Sequence, residues 1–170
     1  ISNPFFSYIA RVIEDAANQH GYTGIIGSSD EQASKSATLI GAFLNRQVDG
    51  LIIAPAEQSE KQLRTLLNDG FPFVLIDRYF PGLSANSVHI DNYQSAYDAS
   101  EHLIKKGYRR IAMVAYETAL PQMQERIRGY LAALKANGIQ TKRNWMMKTG
   151  FTTLDQAVQT GLRKMLDGKE

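Results

Sequence analysis

Residues 77 and 78 place a carboxylate and a guanidinium side by side, directly after the apolar run Phe71-Pro72-Phe73-Val74-Leu75-Ile76. A run that is short and apolar on both faces, and that follows a helix-stopping Gly70, is typical of a buried strand in a parallel sheet. Ligands of open α/β sheets bind beyond the carboxyl ends of the strands. Asp77 and Arg78 are therefore candidates to hold a small polar molecule.

Helical and strand patterns alternate along the chain, which predicts an α/β fold of parallel strands flanked by helices. Strands are predicted at residues 22–27, 49–55, 71–76, 87–90, 110–115 and, more weakly, 145–147. The helices between them are predicted to face inward through Ile9, Val12, Ile13 and Ala16; Ala33, Ala37, Ile40 and Leu44; Leu63, Leu66 and Leu67; Ala96, Ala99, Leu103 and Ile104; Ile127, Tyr130, Leu131 and Leu134; and Leu154, Ala157, Val158, Leu162 and Met165.

The helix ends also carry sequence signals. Asn3 before Pro4 is typical of a helix start, and Ser29 with Gln32 predicts a capping box for the second helix. A glycine followed by an apolar residue ends four helical patterns, which predicts a left-handed cap on which the next side chain packs. These pairs are Gly21-Tyr22, Gly70-Phe71, Gly107-Tyr108 and Gly138-Ile139.

Composition argues against several classes of function. The chain has 170 residues, no cysteine and a net charge of +2, with its 19 basic residues spread along the sequence rather than gathered in a nucleic-acid footprint. The three histidines are scattered without metal-binding spacing, and the glycines match neither a dinucleotide nor a phosphate loop. Ser28-Ser29-Asp30 has no histidine base beside it. We therefore expect no metal, no cofactor and no catalysis.

Six blocks of the sequence, taken in order, form a recognisable pattern. The blocks are Ile1-Ser2-Asn3-Pro4-Phe5-Phe6, residues 48–55, Ile76-Asp77-Arg78, residues 88–92, residues 102–112 and Arg126-Ile127-Arg128-Gly129-Tyr130. Together they resemble the effector-binding core of the LacI/GalR family of bacterial transcription regulators, which is similar to the periplasmic binding protein type I fold. The resemblance covers nearly the whole chain up to about Gly138.

The resemblance implies two similar lobes of parallel sheet, residues 1–91 and part of a second lobe in residues 92–170, which close on a small effector, most often a sugar. It also implies a cytoplasmic homodimer that binds operator DNA through an N-terminal helix-turn-helix, and no stretch of this sequence offers that motif. The chain opens on a helix and closes on another. We therefore expect the sheet to continue beyond both ends, and the chain to be a fragment that does not bind DNA by itself.

Six ligand-binding residues follow from the resemblance. Asn3, Phe5 and Phe6 match the cleft residues at the start of the first helix, Asp77 and Arg78 match the acid and base at the strand end, and Arg126 matches the arginine that reaches the effector from the second lobe. Where many relatives carry a small hydroxyl residue before that arginine, this chain has Leu120-Pro121-Gln122. Effector contacts on that side are therefore expected to differ.

Simpler interpretations exist for each of these residues. Asn3 is explained as a helix cap, the two phenylalanines as packing residues, and Asp77 with Arg78 as a local ion pair. Arg126 alone would be a solvated helix arginine. Two other functions also fit the fold: a periplasmic sugar-binding transport receptor, or an α/β enzyme whose catalytic residues lie outside this sequence.

Overall fold

The structure is a computed structural model that describes residues 3–142, 145–150, 158–160 and 163. Helices and strands alternate, as predicted for an α/β fold. In chain order the elements are α1 Pro4–Gln19, α2 Ala33–Asn45, β1 Leu51–Ile53, α3 Glu60–Asn68, β2 Phe73–Ile76, β3 Ser87–Val88, α4 Asn92–Lys105, β4 Met113–Tyr116, α5 Pro121–Ala136 and β5 Met146–Thr149.

In the described part of the chain, the strands form two small sheets. One has the order β1-β2-β3, and the other pairs β4 with β5. Strand β2 runs parallel to β3 with Leu75 opposite Ser87, and β4 runs parallel to β5 with Met113 opposite Met146. The parallel pairing confirms the prediction made from the apolar run before Asp77.

The chain divides into two compact units, Ile1–Phe73 and Val74–Glu170. In the first unit, Leu63 and Leu66 of α3 are buried together with Ile40 and Ile53. In the second, α4 packs against α5, and the buried side chains of Ile104, Ile111, Tyr130 and Leu134 form one cluster. The lobe boundary after residue 91 that the resemblance implies is a different division, and it stays a prediction.

Helix α5 approaches α4 closely at one glycine. A Cβ atom on Gly129 would lie 2.1 Å from the carbonyl oxygen of Tyr93 and 3.0 Å from the amide nitrogen of Tyr97. Both neighbours are backbone atoms of α4 and cannot rotate away, so the two helices can adopt this separation only with glycine at position 129. The contact brings the first turn of α4 against the middle of α5.

The predicted cap at Asn3 and the predicted glycine caps are confirmed. The Asn3 side chain accepts a hydrogen bond from the Phe5 amide at 3.0 Å. Gly21 and Gly138 take φ values of 79° and 66°. After Gly138, Ile139 N donates to Leu134 O at 2.9 Å, and this hydrogen bond between residues five positions apart is typical of a left-handed helix cap. The same arrangement follows α3 and α4.

Two element predictions are wrong. Residues 22–27 form no strand, because within the described residues no strand pairs with them; Tyr22, Ile25 and Ile26 are each more than half exposed. Helix α2 begins at Ala33 rather than after Ser29, and its cap makes no side-chain hydrogen bond. Asp30 and Glu31 have φ values of 49° and 61°, which no right-handed helix allows.

Some predicted helix faces are rotated. In α4 the buried residues are Asn92, Ser100 and Ile104, whereas Leu103 is 40% exposed and Ala99 is also exposed. In α2, Ser36 is buried and Ala37 is exposed. The predicted face of α5 is confirmed by buried Ile127, Tyr130 and Leu134. The final predicted helix lies outside the described residues except for 158–160 and 163, which are helical.

Candidate functional site

Asp77 occupies a tight turn at the carboxyl end of β2. Its φ is 64°, its amide donates to Val88 O at 2.9 Å, and the amide of Arg78 donates back to Ile76 O at 2.6 Å. A hydrogen bond between residues two positions apart, with a positive φ at the residue between them, is the geometry of a γ-turn. This rare conformation costs about 1–3 kcal/mol in a residue other than glycine. Such strain is found preferentially at functional sites.

The Asp77 carboxylate and the Arg78 guanidinium face each other. Oδ2 of Asp77 lies 3.5 Å from Nε of Arg78, and the two side chains are 17% and 9% exposed. The pair is therefore not a solvated surface ion pair, because both charges are largely removed from water. A buried guanidinium needs a partner of this kind, since an uncompensated buried charge costs several kcal/mol.

Arg126 is held by a buried amide on another helix. Its Nε donates to Oδ1 of Asn92 at 2.7 Å, and Nδ2 of Asn92 donates to the carbonyl of Ile90 at 3.2 Å. Asn92 is 0% exposed. The interpretation of Arg126 as a solvated helix arginine does not describe this arrangement, because the side chain is half-buried and hydrogen-bonded across 34 residues of sequence.

A cleft of about 660 Å³ lies within the second unit, next to this pair. It is lined by all four residues of β4, by Met123 and Arg126 of α5, and by Val158 and Gln159. Among these lining residues Arg126 carries the charge, and most of the others are apolar. A mostly apolar cleft with a few polar groups is typical of small-molecule sites.

The first turn of α5 holds a further polar group. Gln122 is only 7% exposed, and its Oε1 atom has no hydrogen-bond partner among the described residues. An unsatisfied buried acceptor costs about 1–3 kcal/mol and calls for an explanation such as a bound ligand. Gln122 belongs to the Leu120-Pro121-Gln122 segment, where the sequence predicts that effector contacts differ.

Tyr79 and His89 form an aromatic pair that sequence patterns do not reveal. Their rings stack with centroids 4.5 Å apart, and the Tyr79 hydroxyl donates to the Glu125 carboxylate. Burial and this carboxylate raise the pKa of Tyr79 above its ordinary value. Glu125 also lies 3.8 Å from Arg128, whose guanidinium sits 5.4 Å from the ring centroid of Tyr93. The contacts of Tyr79 with His89 and Glu125 follow no sequence spacing, whereas Glu125 and Arg128 are three residues apart on one helix.

The remaining candidates lie on the first turn of α1, in the first unit. Asn3 is exposed and acts as the helix cap. Phe5 is 52% exposed and meets Phe6 edge to face, with ring centroids 5.1 Å apart. The structure thus brings together Asn3 with the two phenylalanines, and separately Asp77 with Arg78. The ligand contacts assigned to all six residues stay predictions.

Within residues 3–142, 145–150, 158–160 and 163, no group of three or more histidine, aspartate or glutamate side chains could hold a metal ion. Over the same residues, no helix is both long and apolar enough to cross a membrane. Asp30 accepts hydrogen bonds from Lys35 and Ser28, which lower the pKa of its carboxyl below the ordinary value.

Parallel strands flanked by helices, with polar groups beyond the strand ends and a mostly apolar cleft, are the architecture of α/β ligand-binding domains. The family described as periplasmic binding proteins and sugar binding domain of LacI family matches residues 1–165, and the chain belongs to this family. This membership confirms both the resemblance and the fold class predicted from the sequence.

The relatives are transcription regulators by name. The chain is 32% identical to the HTH-type transcriptional repressor CytR of Escherichia coli K12, over 98% of this chain and 48% of that protein. The chain spans about half the length of the curated relatives it matches. These names favour the core of a regulator over a transport receptor, and the relatives are not named as enzymes.

Solved structures of similar proteins share the fold. A putative ribose operon repressor from Burkholderia thailandensis superimposes with a TM-score of 0.83 at 27% identity, over 98% of this chain and 70% of that one. The Cra dual regulator of Pseudomonas putida, solved with fructose 1-phosphate, gives a TM-score of 0.85 at 25% identity, over 99% of this chain and 63% of that one.

Proposed function

We propose that this chain is the effector-binding core of a DNA-binding transcription regulator, and that its effector is a sugar or a sugar derivative. The observation that carries the proposal is Arg126, a hydrogen-bonded cation at an otherwise mostly apolar cleft in a chain of this family. The regulators that the chain resembles include one solved with fructose 1-phosphate and one named for the ribose operon.

Four of the six candidate residues have the chemistry that a sugar requires, and the other two hold them in place. Aromatic rings such as Phe5 and Phe6 cover the apolar face of a pyranose, a carboxylate such as Asp77 accepts from hydroxyl groups, and the guanidinium of Arg126 donates to ring or phosphate oxygens. Arg78 holds the Asp77 carboxylate in place through the 3.5 Å ion pair. Asn3 supports the aromatic residues by capping their helix.

Regulation in this proposal is a coupling between two sites, without a chemical step or a cofactor. Residues 1–91 form one lobe and residues 92–170 part of the other, and effector binding closes them. Closure shifts a cytoplasmic homodimer between states that differ in affinity for operator DNA. DNA is bound by a helix-turn-helix in the longer protein, as the name of the relative CytR suggests.

The proposal is tested by calorimetric titration of the protein with free and phosphorylated pentoses and hexoses, including ribose and fructose 1-phosphate. One sugar of this panel should bind, and Arg126→Ala should weaken its binding by about 100-fold, because hydrogen bonds to a charged group contribute about 1.5–3 kcal/mol each. Arg11→Ala is the matched control, since Arg11 is a helical arginine whose side chain is 70% exposed.

The regulatory part is tested with the full-length protein. The same sugar should change its affinity for operator DNA, and Arg126→Ala should remove that change without altering DNA binding in the absence of sugar. Panel sugars that all fail to bind, or equal affinities in the Arg126→Ala and wild-type proteins, would contradict the proposal.

A further inference from the structure

Asn92 uses both halves of its amide in the buried network around Arg126. Oδ1 accepts from Arg126 Nε at 2.7 Å while Nδ2 donates to Ile90 O at 3.2 Å. Exchanging the amide oxygen and nitrogen would set two donors against each other at Arg126 and two acceptors at Ile90. The network therefore permits a single orientation of the Asn92 side chain.

The backbone that carries Asn92 is itself fixed. Asn92 is the first residue of α4, and the preceding Asp91 caps that helix by accepting from Gln94 N at 2.8 Å. The next residue, Tyr93, contacts α5 at Gly129, three positions after Arg126. The position of Asn92 relative to Arg126 is thus set by helix packing rather than by a mobile loop.

The partner of Arg126 is neutral. Within the described residues Arg126 forms no ion pair, whereas Arg78 is set against Asp77 and Arg128 against Glu125. An amide acceptor orients a guanidinium without cancelling its charge, and a carboxylate in its place would do both. The Nη donors of Arg126 and its full positive charge are then available at the cleft that the residue lines.

We propose that Asn92 is a positioning residue for effector recognition: it holds Arg126 by Nε so that the Nη groups face the effector with their charge uncompensated. The link to the effector rests on the function proposed above, whereas the hold on Arg126 does not. In the sequence, Asn92 belongs to the family block of residues 88–92 and has no assigned contact with the effector.

The hold on Arg126 can be measured without any ligand, by heteronuclear NMR of arginine Nε–H groups in the wild-type protein. The Arg126 signal is assigned by its loss in Arg126→Lys. Asn92→Ala should raise its hydrogen-exchange rate by about tenfold or more, since one charge-assisted hydrogen bond is lost. Ser100→Ala is the control, because it removes another buried α4 hydrogen bond, to Ala96 O at 2.7 Å, that does not touch Arg126.

An unchanged exchange rate in Asn92→Ala, or an equal rise in Ser100→Ala, would show that Asn92 does not fix the Arg126 side chain.

A second experiment titrates the panel sugar that binds the wild-type protein most tightly. Asn92→Ala should weaken its binding by about tenfold in the wild-type background and by less than about twofold in the Arg126→Lys background. A purely structural role would give the same loss in both backgrounds and would overturn the proposal.

Asn92→Asp separates orientation from charge. The Arg126 Nε–H signal should stay protected in this variant, because a carboxylate also accepts from it, while sugar affinity falls by about tenfold as the charge is neutralised. Wild-type affinity in Asn92→Asp would refute the charge argument. If no panel sugar binds the wild-type protein, the proposed function fails, and the NMR result alone decides whether Asn92 positions Arg126.

Discussion

Helices α1 and α5 are both amphipathic and have the same length, 16 residues, yet they are buried to very different degrees. Helix α5 buries seven residues, among them Leu134 at 0% exposure and Tyr130 at 3%, whereas none of the residues in α1 is buried. Val12, on the predicted inward stripe of α1, is 48% exposed. An apolar stripe thus indicates which face of a helix can be covered, and burial depends on the element packed against it.

The comparison predicts a large effect at the contact between α4 and α5. Gly129→Ala should lower the free energy of unfolding by more than about 3 kcal/mol, because the new methyl group would overlap the Tyr93 carbonyl oxygen. Gly41→Ala in α2 is the matched control, since no atom lies within 4 Å of a Cβ there. That variant should gain up to about 1 kcal/mol. Equal denaturation midpoints for the two variants would refute the close approach.

A smaller effect is expected from truncating side chains on the two apolar faces. Leu134→Ala should cost about 3 kcal/mol, because it leaves a cavity in the cluster of Ile104, Ile111 and Tyr130. Val12→Ala on α1 should cost less than about 0.5 kcal/mol. Urea denaturation measures both values, and similar losses in the two variants would show that the face of α1 is covered in solution.

The smallest effect concerns the hydroxyl of Tyr130, which donates to Ile111 O at 2.8 Å. Tyr130→Phe should cost about 1 kcal/mol at neutral pH. Burial raises the pKa of Tyr130 above its ordinary value, so the stability that its neutral form provides is complete below about pH 10 and is lost as pH rises through the folded-state pKa. The alkaline loss of stability should be shallower in Tyr130→Phe, and parallel pH profiles would contradict this assignment.

Much of the fold follows from local sequence signals, and the errors have local causes. The end of α1 at Gly21 and the end of α5 before Gly138 were predictable, because a glycine followed by an apolar residue fits one cap geometry. The capping box at Ser29 was wrong because Asp30 adopts a left-handed backbone and turns its carboxylate to Ser28 and Lys35. No pattern of residue types shows whether an aspartate after such a serine lies in the first turn of a helix or in a left-handed turn.

The residues themselves predicted the candidate site only where the interacting side chains lie in one short segment. Asp77 and Arg78 are adjacent, so the end of an apolar run was enough to single them out. Arg126 was found only through the family resemblance, and Asn92 was missed, because their hydrogen bond joins residues 34 apart and depends on how closely α4 approaches α5. The strained turn at Asp77 was also hidden, since backbone dihedral angles depend on the pairing of β2 with β3.

The central claim is that Arg126 binds the effector in the cleft. A crystal structure of the protein with the tightest-binding sugar of the panel tests this claim most directly. The account predicts a sugar or phosphate oxygen within about 3 Å of an Arg126 Nη atom, with the Asn92 hydrogen bond to Nε retained. A sugar bound away from Arg126, or an Arg126 side chain released from Asn92 in the complex, would contradict it.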